Sequence, residues 1–505
     1  MSAKREKVAD QRIYPNKKMK KTLLIKNGTV ITASDNYKAD IYIEDENVHA
    51  IGKNLNFNAD KTIDANGMYV FPGGIDPHTH MELPFMGTYA SDSFESGTLA
   101  GLHGGTTTII DFAIQTQGKS LREALDSWHK KADGNAVSDY AFHMGVTDYN
   151  KYTQKEIKDI CENDGIFSFK VFMAYKGALM VDDRQIIGLM KEAGKYGGMV
   201  ISHCENGDMI DELVSEAKAE GNLTPRYHYL TRPEIAETEA TGRIIDIAYQ
   251  GGHPLYIVHL TCEGALNRVR EATKRNQKIS VETCIQYLLL DESLYESPSF
   301  EGSKWVMSPP LRKEKDRIAL WNGINQGLLH TVATDHCPFC MDQKKMGIND
   351  FSKIPNGIPG IEHRMELLFS EGVLKNKISL NKFVELTSTN AAKIFGMFPQ
   401  KGTIAPGSDA DIVIFDPNVN HTISAKTHHH NCDYSAFEGW KINGKCKTII
   451  LRGTVAIENG QALIEKGFGR YIKRSAYNKK YLTKEEINSN YSRHCEEAQN
   501  ADAAI

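Results

Sequence analysis

Residues 68–80 read MYVFPGGIDPHTH, an apolar strand-forming run that leads through two glycines into two histidines separated by one residue. An extended chain places alternate side chains on the same side, so His78 and His80 point their imidazoles in one direction. Both rings can then bind the same metal ion. A lone His-x-His pattern is common by chance, so its meaning depends on the rest of the chain.

Seven further runs rich in Val, Ile, Tyr, Phe and Thr are predicted strands. They lie at 106–112, 140–146, 168–173, 199–202, 254–258, 279–283 and 330–333. Segments with apolar residues at helical spacing lie between most of them, at 120–131, 183–196, 234–249, 264–273 and 315–326. Alternating strands and helices predict an α/β fold with a parallel sheet. With 68–72 as the first strand, eight repeats predict a closed (β/α)8 barrel.

Six polar residues stand at or next to the ends of these predicted strands: His78, His80, Lys170, His203, His259 and Asp335. By this count they follow strands one, four, five, six and eight, and in a barrel these ends meet on one face. Taken singly, each histidine is more simply a buried core residue and Asp335 a helix cap. Imidazole nitrogen and carboxylate oxygen are ligands of zinc and related ions, so the joint occurrence predicts a functional metal site.

The two flanks of the barrel are β-rich and punctuated by turn residues. The run LIKNGTV at 24–30 is echoed by IILRGTV at 449–455. We therefore predict that both chain ends fold into one small β-sandwich domain beside the barrel. The predicted boundaries are 1–22 for an N-terminal tail, 23–72 and 402–465 for the sandwich, 73–401 for the barrel, and 466–505 for a polar C-terminal tail that is an oligomer arm or disordered.

Composition indicates a large globular enzyme, with 505 residues of which 41% are hydrophobic and 25% charged. The net charge of −4 gives no reason to expect a nucleic-acid partner. No apolar stretch is long enough to span a membrane, and the lysines near the N-terminus do not flank a secretory signal. We therefore expect a soluble protein without nucleic-acid or membrane partners.

Nine widely spaced cysteines predict a reducing cytoplasm rather than a disulfide-stapled secreted domain. Cys337 and Cys340 form an isolated pair, without the second pair that completes a structural zinc site, and we interpret them as local packing. The tract His428-His429-His430 lies in a polar stretch away from any predicted barrel strand, and we interpret it as an exposed loop.

Five segments together resemble the amidohydrolase superfamily, and within it the dihydropyrimidinase and hydantoinase family. They read GIDPHTH at 74–80, FKVFMAYK at 169–176, SH at 202–203, VH at 258–259 and TDH at 334–336. The order, spacing and immediate neighbours of these segments agree with the family. The resemblance covers residues 23–463.

The resemblance implies two zinc ions per subunit, the first held by His78, His80 and Asp335 and the second by His203 and His259. An ordinary lysine is cationic and repels a metal, but Lys170 matches a family lysine that carries a carbamate (N6-carboxylysine). This carbamate and a hydroxide would bridge the two ions.

The resemblance also implies roles in catalysis and substrate binding. Asp335 matches the general base, and Tyr175, otherwise a plain core aromatic, matches the hydroxyl that stabilises the oxyanion and contacts substrate. Ser308 and Asn356, in otherwise ordinary turn sequences, match positions that hold the cyclic amide and ureide edge of the substrate.

The implied reaction is the hydrolytic ring opening of 5,6-dihydrouracil and dihydrothymine to N-carbamoyl-β-amino acids in pyrimidine catabolism, by a hydroxide held between the two zinc ions. Hydantoins are implied as further substrates, and a homotetramer as the assembly.

Three alternatives stay open at this point. Allantoin is also a hydantoin ring, so the metal ligands do not distinguish an allantoinase. A dihydroorotase carries an arginine two residues after the second histidine, where this chain has Glu82, an acid that would repel the substrate carboxylate. A scaffold of the collapsin-response mediator type is not an enzyme and has lost metal ligands, whereas all six ligand positions and Tyr175 are occupied here.

Overall fold

The computed structural model describes residues 21–297 and 299–477. Its centre is an eight-stranded parallel sheet whose strands are hydrogen-bonded in chain order. The barrel strands are β1 (Gly74–Thr79), β2 (Thr106–Ile114), β3 (Asp139–Gly145), β4 (Ser168–Phe172), β5 (Met199–His203), β6 (Leu255–Ile257), β7 (Ile279–Cys284) and β8 (Thr331–Ala333). The end of β1 is bridged to His336, beyond β8, which brings the two edges of the sheet together. The predicted (β/α)8 barrel is confirmed.

Helices follow the barrel strands in the chain. Those between β1 and β8 are Phe94–His103, Leu121–Ala132, Lys151–Asp164, Asp183–Lys195, Gly207–Ala219, Arg226–Leu230, Glu234–Gly251, Glu263–Lys274, Ile285–Leu289 and Glu314–Asn325, with 3₁₀ turns at Glu292–Glu296 and Phe300–Trp305. After β8 come Met341–Lys344, Arg364–Leu368, Leu380–Val384 and Asn390–Ile394, 3₁₀ turns at Lys345–Gly347 and Phe351–Lys353, and π-helical turns at Phe369–Val373 and Glu385–Thr389. Among the described residues no helix is both long and apolar enough to cross a membrane.

The first barrel strand differs from the prediction. The run 68–72 was expected to be that strand, but Tyr69–Pro72 belongs to a second sheet outside the barrel. The true first strand, β1, contains Asp76 and Pro77 and lacks an apolar strand pattern. Proline has no N–H to donate, and the pairing of β1 with β2 is irregular between Asp76 and Thr79. A polar, proline-containing strand of this kind escapes a search for apolar runs.

The second sheet combines the two ends of the chain, which confirms the predicted β unit. Within the described ranges its strands are Thr22–Ile31, Asn36–Glu44, Asn47–Gly52, Lys61–Asp64, Tyr69–Pro72, Ile412–Thr422, Lys441–Leu451, Thr454–Glu458 and Gln461–Ala462. Tyr69–Pro72 lies between Thr22–Ile31 and Ile412–Thr422, so it joins the N-terminal strands to the C-terminal ones. A separate short hairpin pairs Pro84–Phe85 with Thr88–Tyr89.

Residues from the C-terminal part of the chain pack at the N-terminal ends of the barrel strands. Phe395 and Ile472 share a buried core with the strand residues Ile110 and Ile201. The Arg474 guanidinium is buried there and donates to Ser168 Oγ at 2.9 Å. The described part of the predicted C-terminal tail therefore packs on the barrel. The predicted N-terminal tail up to residue 20, and the chain beyond 477, lie outside the described residues.

A buried ionic cluster ties the barrel to the outer sheet. The Lys401 ammonium lies 2.8 Å from Asp139, 2.7 Å from Asp411 and 3.1 Å from Asp409. Asp139 begins β3, and Asp411 precedes the strand Ile412–Thr422. Lys401 thus pairs with carboxylates from both layers, and Arg452 Nε is a second cation 3.1 Å from Asp139. An unpaired charge at this depth is costly.

We expect Lys401→Met to lower the free energy of unfolding by about 3–5 kcal/mol, because Asp409 and Asp411 lose their paired cation while Asp139 keeps Arg452. Urea unfolding followed by circular dichroism measures the change. The matched control is Lys119→Met, which removes an exposed lysine 3.7 Å from Glu123 and should change stability little. Equal effects of the two substitutions would contradict the structural role of the cluster.

Candidate metal centre and cavity

A cavity of about 660 Å³ lies at the C-terminal ends of the barrel strands. The nine residues singled out in the sequence all line it: His78, His80, Lys170, Tyr175, His203, His259, Ser308, Asp335 and Asn356. They arrive from different strands and loops, as side chains at the C-terminal face of a barrel do. The cavity therefore brings the whole predicted set together.

The first cluster of possible ligands surrounds the Asp335 carboxylate. His78 Nε2 and His80 Nε2 each lie 3.1 Å from Asp335 Oδ1. Ligand atoms of His78, His259 and Asp335 lie within 4.8 Å of one another. Three donor atoms this close, from nitrogen and oxygen ligands, fit one transition-metal ion.

A second pair of ring nitrogens faces the same space. His203 Nδ1 lies 3.0 Å from His259 Nε2, and both side chains are buried. Burial lowers the pKa of each imidazole, so both rings are neutral and offer lone pairs. Neutral imidazole is the form that binds metals.

Lys170, in β4, is the unusual member of the group. Its side chain is buried, with Nζ 4.9 Å from the centre of the Phe112 ring and 5.2 Å from that of Phe172. Among the described residues, no carboxylate lies within 4.0 Å of Nζ. Burial lowers the pKa of Lys170 to about 8. At pH 7 about a tenth of this amine is therefore uncharged, and this fraction is nucleophilic.

Two buried glutamates contact ring nitrogens of the cavity histidines, and neither of them was predicted from the sequence. Glu282, in β7, contacts His78 Nδ1 at 2.6 Å and accepts hydrogen bonds from the His259 backbone and the Tyr256 hydroxyl. Glu205 lies 2.9 Å from His203 Nε2. Such partners orient the rings of metal-binding histidines. For Glu282 the sequence offered one sign. Side chains alternate along β7, so Glu282 points to the same side of the strand as the polar residue Ser280.

The electrostatics of the cluster favour cations. His78 is buried, which lowers its pKa, but the carboxylates of Asp335 and Glu282 outweigh this effect and raise the pKa to about 9. Two carboxylates beside one imidazole thus attract positive charge. The donor set and the field both fit bound metal ions.

Three cavity residues have left-handed backbone conformations that side chains other than glycine adopt rarely. The φ angles are 65° at Tyr175, 37° at His259 and 52° at Asp335. Backbone strain of this kind collects at functional sites, where the surrounding structure holds the side chain in place. Its presence at three lining residues supports a functional assignment for the cavity.

The remaining cavity wall carries polar groups held by a buried lysine. Asn356 Nδ2 donates to Ser308 Oγ at 3.0 Å. Lys344 Nζ, fully buried, donates to the carbonyl oxygens of Val306, Pro355 and Gly357 at 2.9, 2.7 and 2.8 Å. Lys344 therefore fixes both loops next to the residues that face the cavity, a role that its sequence context did not reveal.

The histidine tract at 428–430 differs from its prediction as an exposed loop. His429 is exposed, but His430 is buried and its Nε2 accepts a hydrogen bond from the Glu362 backbone at 3.1 Å. Its ring centre lies 5.1 Å from that of His336. The polar composition of the stretch concealed this packing, because a buried imidazole can satisfy one ring nitrogen from the backbone.

The amidohydrolase family profile matches residues 69–456. D-hydantoinase of Geobacillus stearothermophilus is 48% identical over 457 residues, which cover 90% of this chain and 97% of that protein. Dihydropyrimidinase of Rattus norvegicus is 41% identical over 462 residues, 90% of this chain and 89% of that protein. The crystal structure of dihydropyrimidinase from Brevibacillus agri NCHU1002 is 51% identical, with a TM-score of 0.90 over 91% of this chain and 100% of that chain. This chain belongs to the amidohydrolase family, in the group of the D-hydantoinases and dihydropyrimidinases.

Proposed function

We propose that this protein is a cyclic amide hydrolase that opens 5,6-dihydrouracil and dihydrothymine to N-carbamoyl-β-amino acids, with hydantoins as further substrates. Relatives named D-hydantoinase and dihydropyrimidinase support the substrate class. The observation that carries the proposal is the convergence of four histidines, Lys170 and Asp335 on one cavity. A cavity of about 660 Å³ also accommodates a small ring.

The amidohydrolases are metal-dependent hydrolases, and we propose two zinc ions in this one. His78, His80 and Asp335 would hold the first ion, and His203 and His259 the second. Such ions, when bound, lower the pKa of a water molecule and polarise the amide carbonyl. The 3.1 Å distances from His78 and His80 to Asp335, and the 3.0 Å between His203 and His259, support this division. His259 also lies within 4.8 Å of His78 and Asp335, so it stands between the two proposed sites.

Lys170 is proposed to act as a carbamate. Its neutral amine nitrogen forms a bond to the carbon of carbon dioxide and loses a proton, so a cation becomes a carboxylate-like anion. Support comes from the burial of Lys170, its depressed pKa of about 8 and the lack of a carboxylate partner among the described residues. The two carbamate oxygens would contact both metal ions.

Asp335 is proposed as the general base. Burial raises its pKa, but His78 and His80 outweigh this effect and hold the pKa well below its usual range, so the carboxylate is ionised. It takes a proton from the attacking water as the new C–O bond forms, and returns it to the ring nitrogen as the C–N bond breaks.

Tyr175 is proposed to donate its hydroxyl hydrogen to the carbonyl oxygen that gains charge. Burial raises the pKa of Tyr175 to about 12, so this hydrogen is retained at neutral pH. Ser308 and Asn356 are proposed to hold the amide and ureide edge of the ring. Their mutual hydrogen bond and their place in the cavity wall support this role.

We further propose a homotetramer, as the family resemblance implies, and a location in the cytoplasm, as the spacing of the cysteines predicts. On the described surface Leu230, Ile235 and Tyr249 are 42%, 58% and 52% exposed, and contact between copies would bury such area. The described cysteines are free thiols, which fits a reducing compartment.

The direct test compares ring opening of 5,6-dihydrouracil, hydantoin and allantoin by the purified protein and by Asp335→Ala. We expect turnover of the first two by the parent and a loss of at least about 10²-fold in the variant, since both a ligand and the base are removed. Asp342→Ala, an exposed aspartate nearby, is the control and should remain active. Preferred turnover of allantoin would favour an allantoinase, and no turnover of any ring would favour a scaffold.

Lys344→Met should raise the KM for dihydrouracil by about 10-fold, or about 1.4 kcal/mol, because the loops of Ser308 and Asn356 lose their shared donor. Metal content should be unchanged, since Lys344 contacts none of the proposed ligands. Steady-state kinetics with metal analysis measures both quantities, and Lys345→Met, an exposed neighbour, is the matched control. A lower melting temperature with an unaltered KM would reduce Lys344 to a purely structural role.

A further inference from the structure

A second cluster of ligand-type side chains lies outside the cavity. Sγ of Cys340, Sγ of Cys432 and a carboxylate oxygen of Asp433 all lie within 4.8 Å of one another. Cys340 directly precedes the short helix Met341–Lys344, and the other two belong to the loop between the outer strands Ile412–Thr422 and Lys441–Leu451. The cluster does not include Cys337; Cys340 is joined by residues from a distant part of the chain.

The cluster is held in place by backbone contacts. The Met341 N–H donates to Asp433 Oδ1 at 2.9 Å. Cys340 Sγ lies 3.7 Å from the carbonyl oxygen of Asn431. The two segments therefore meet in a defined arrangement that brings both sulfur atoms and a carboxylate oxygen of Asp433 close together.

Cys340 differs from the other described cysteines in its exposure. It is partly exposed, whereas the other seven, Cys432 included, are buried. A metal ion from solution can therefore reach the cluster through Cys340, and a cysteine bound to a metal is a thiolate.

A group of three acidic side chains elsewhere shows why close ligand-type atoms alone do not make a metal site. Asp139, Asp409 and Asp411 also lie within 4.8 Å of one another. There the Lys401 ammonium already occupies the centre, at 2.7–3.1 Å. Among the described residues no lysine or arginine makes an ion pair with Asp433, so the negative charge of Asp433 is not already paired with a protein cation.

We propose that Cys340, Cys432 and Asp433 bind one zinc ion at a site separate from the catalytic cavity. Zinc is bound by thiolate and carboxylate at bond lengths of about 2.0–2.3 Å, which places ligand atoms within about 4 Å of one another. The fourth ligand would be water or the Asn431 carbonyl oxygen. Metal binding deprotonates Cys432 as well, because a coordinating thiol loses its proton.

The site would cross-link the rim of the cavity. The Asn431 N–H donates to Asp92 Oδ1 at 2.8 Å, and Asp92 Oδ2 lies 2.9 Å from His336 Nε2. His336 follows Asp335 directly. A zinc ion on Cys340 and Cys432 would thus fix the outer loop to the segment that carries the proposed general base, a structural rather than catalytic role.

Cobalt substitution of the whole enzyme tests this proposal. Sulfur ligands give Co²⁺ an intense near-ultraviolet charge-transfer band, and the proposed catalytic ligands are only nitrogen and oxygen. We expect the parent to show this band and to bind about one more Co²⁺ per chain than the double variant Cys340→Ser/Cys432→Ser. Ring-opening activity should remain in that variant, so the result is independent of the proposed function.

Two further variants make the result specific. Asp433→Asn keeps both thiols and should retain the band but weaken Co²⁺ binding about 10-fold or more, while Cys446→Ser, a buried thiol elsewhere, should change neither. A parent without the band, or a band that persists in the double variant, would overturn the proposal. A Cys340–Cys432 disulfide found by mass spectrometry of the unreduced protein from cells would do the same.

Discussion

The hydrogen bonds of Asp76 across the seam between β1 and β8 are the constraint on which the site depends. Asp76 Oδ2 accepts from Thr334 Oγ1 at 2.6 Å, and Oδ1 accepts from the backbone N–H groups of His78 and Thr334 at 3.2 and 3.3 Å. These bonds hold the residue before Asp335 against the segment that carries His78. A slip along this seam would separate the ligands contributed by the first strand from the one contributed by the last.

Charge balance explains the composition of the cavity. A buried lysine that has no carboxylate within 4.0 Å among the described residues is costly in a folded protein, and so are buried imidazoles, unless something pairs with them. The proposed conversion of Lys170 to an anion, together with bound cations, would turn these unfavourable features into mutual attraction. The buried glutamates Glu282 and Glu205 would then orient the rings of His78 and His203 toward the proposed metals.

The barrel and the residues that line its cavity were predictable because strands with apolar runs end at polar residues, as at Val258-His259. Strand β1 was not predictable, because Asp76 and Pro77 interrupt any apolar pattern. Glu282 also escaped, because its partner His78 lies 204 positions away and only the fold brings them together. Lys344 escaped because its partners are backbone carbonyl oxygens, which leave no side-chain pattern in the sequence. The pairing of Cys340 with Cys432 is hidden for the same reason. The roles of Lys170 and Tyr175 came from family resemblance rather than from their own patterns.

The most direct test of the account is whether Lys170 carries a carbamate when metal is bound. Metal-free protein would be reloaded with zinc in buffer containing ¹³C-bicarbonate and examined by ¹³C NMR. We expect one carbamate carbon signal per chain, absent from the Lys170→Ala variant. A protein that is fully active and loaded with metal, yet shows no carbamate carbon, would contradict the account of the centre.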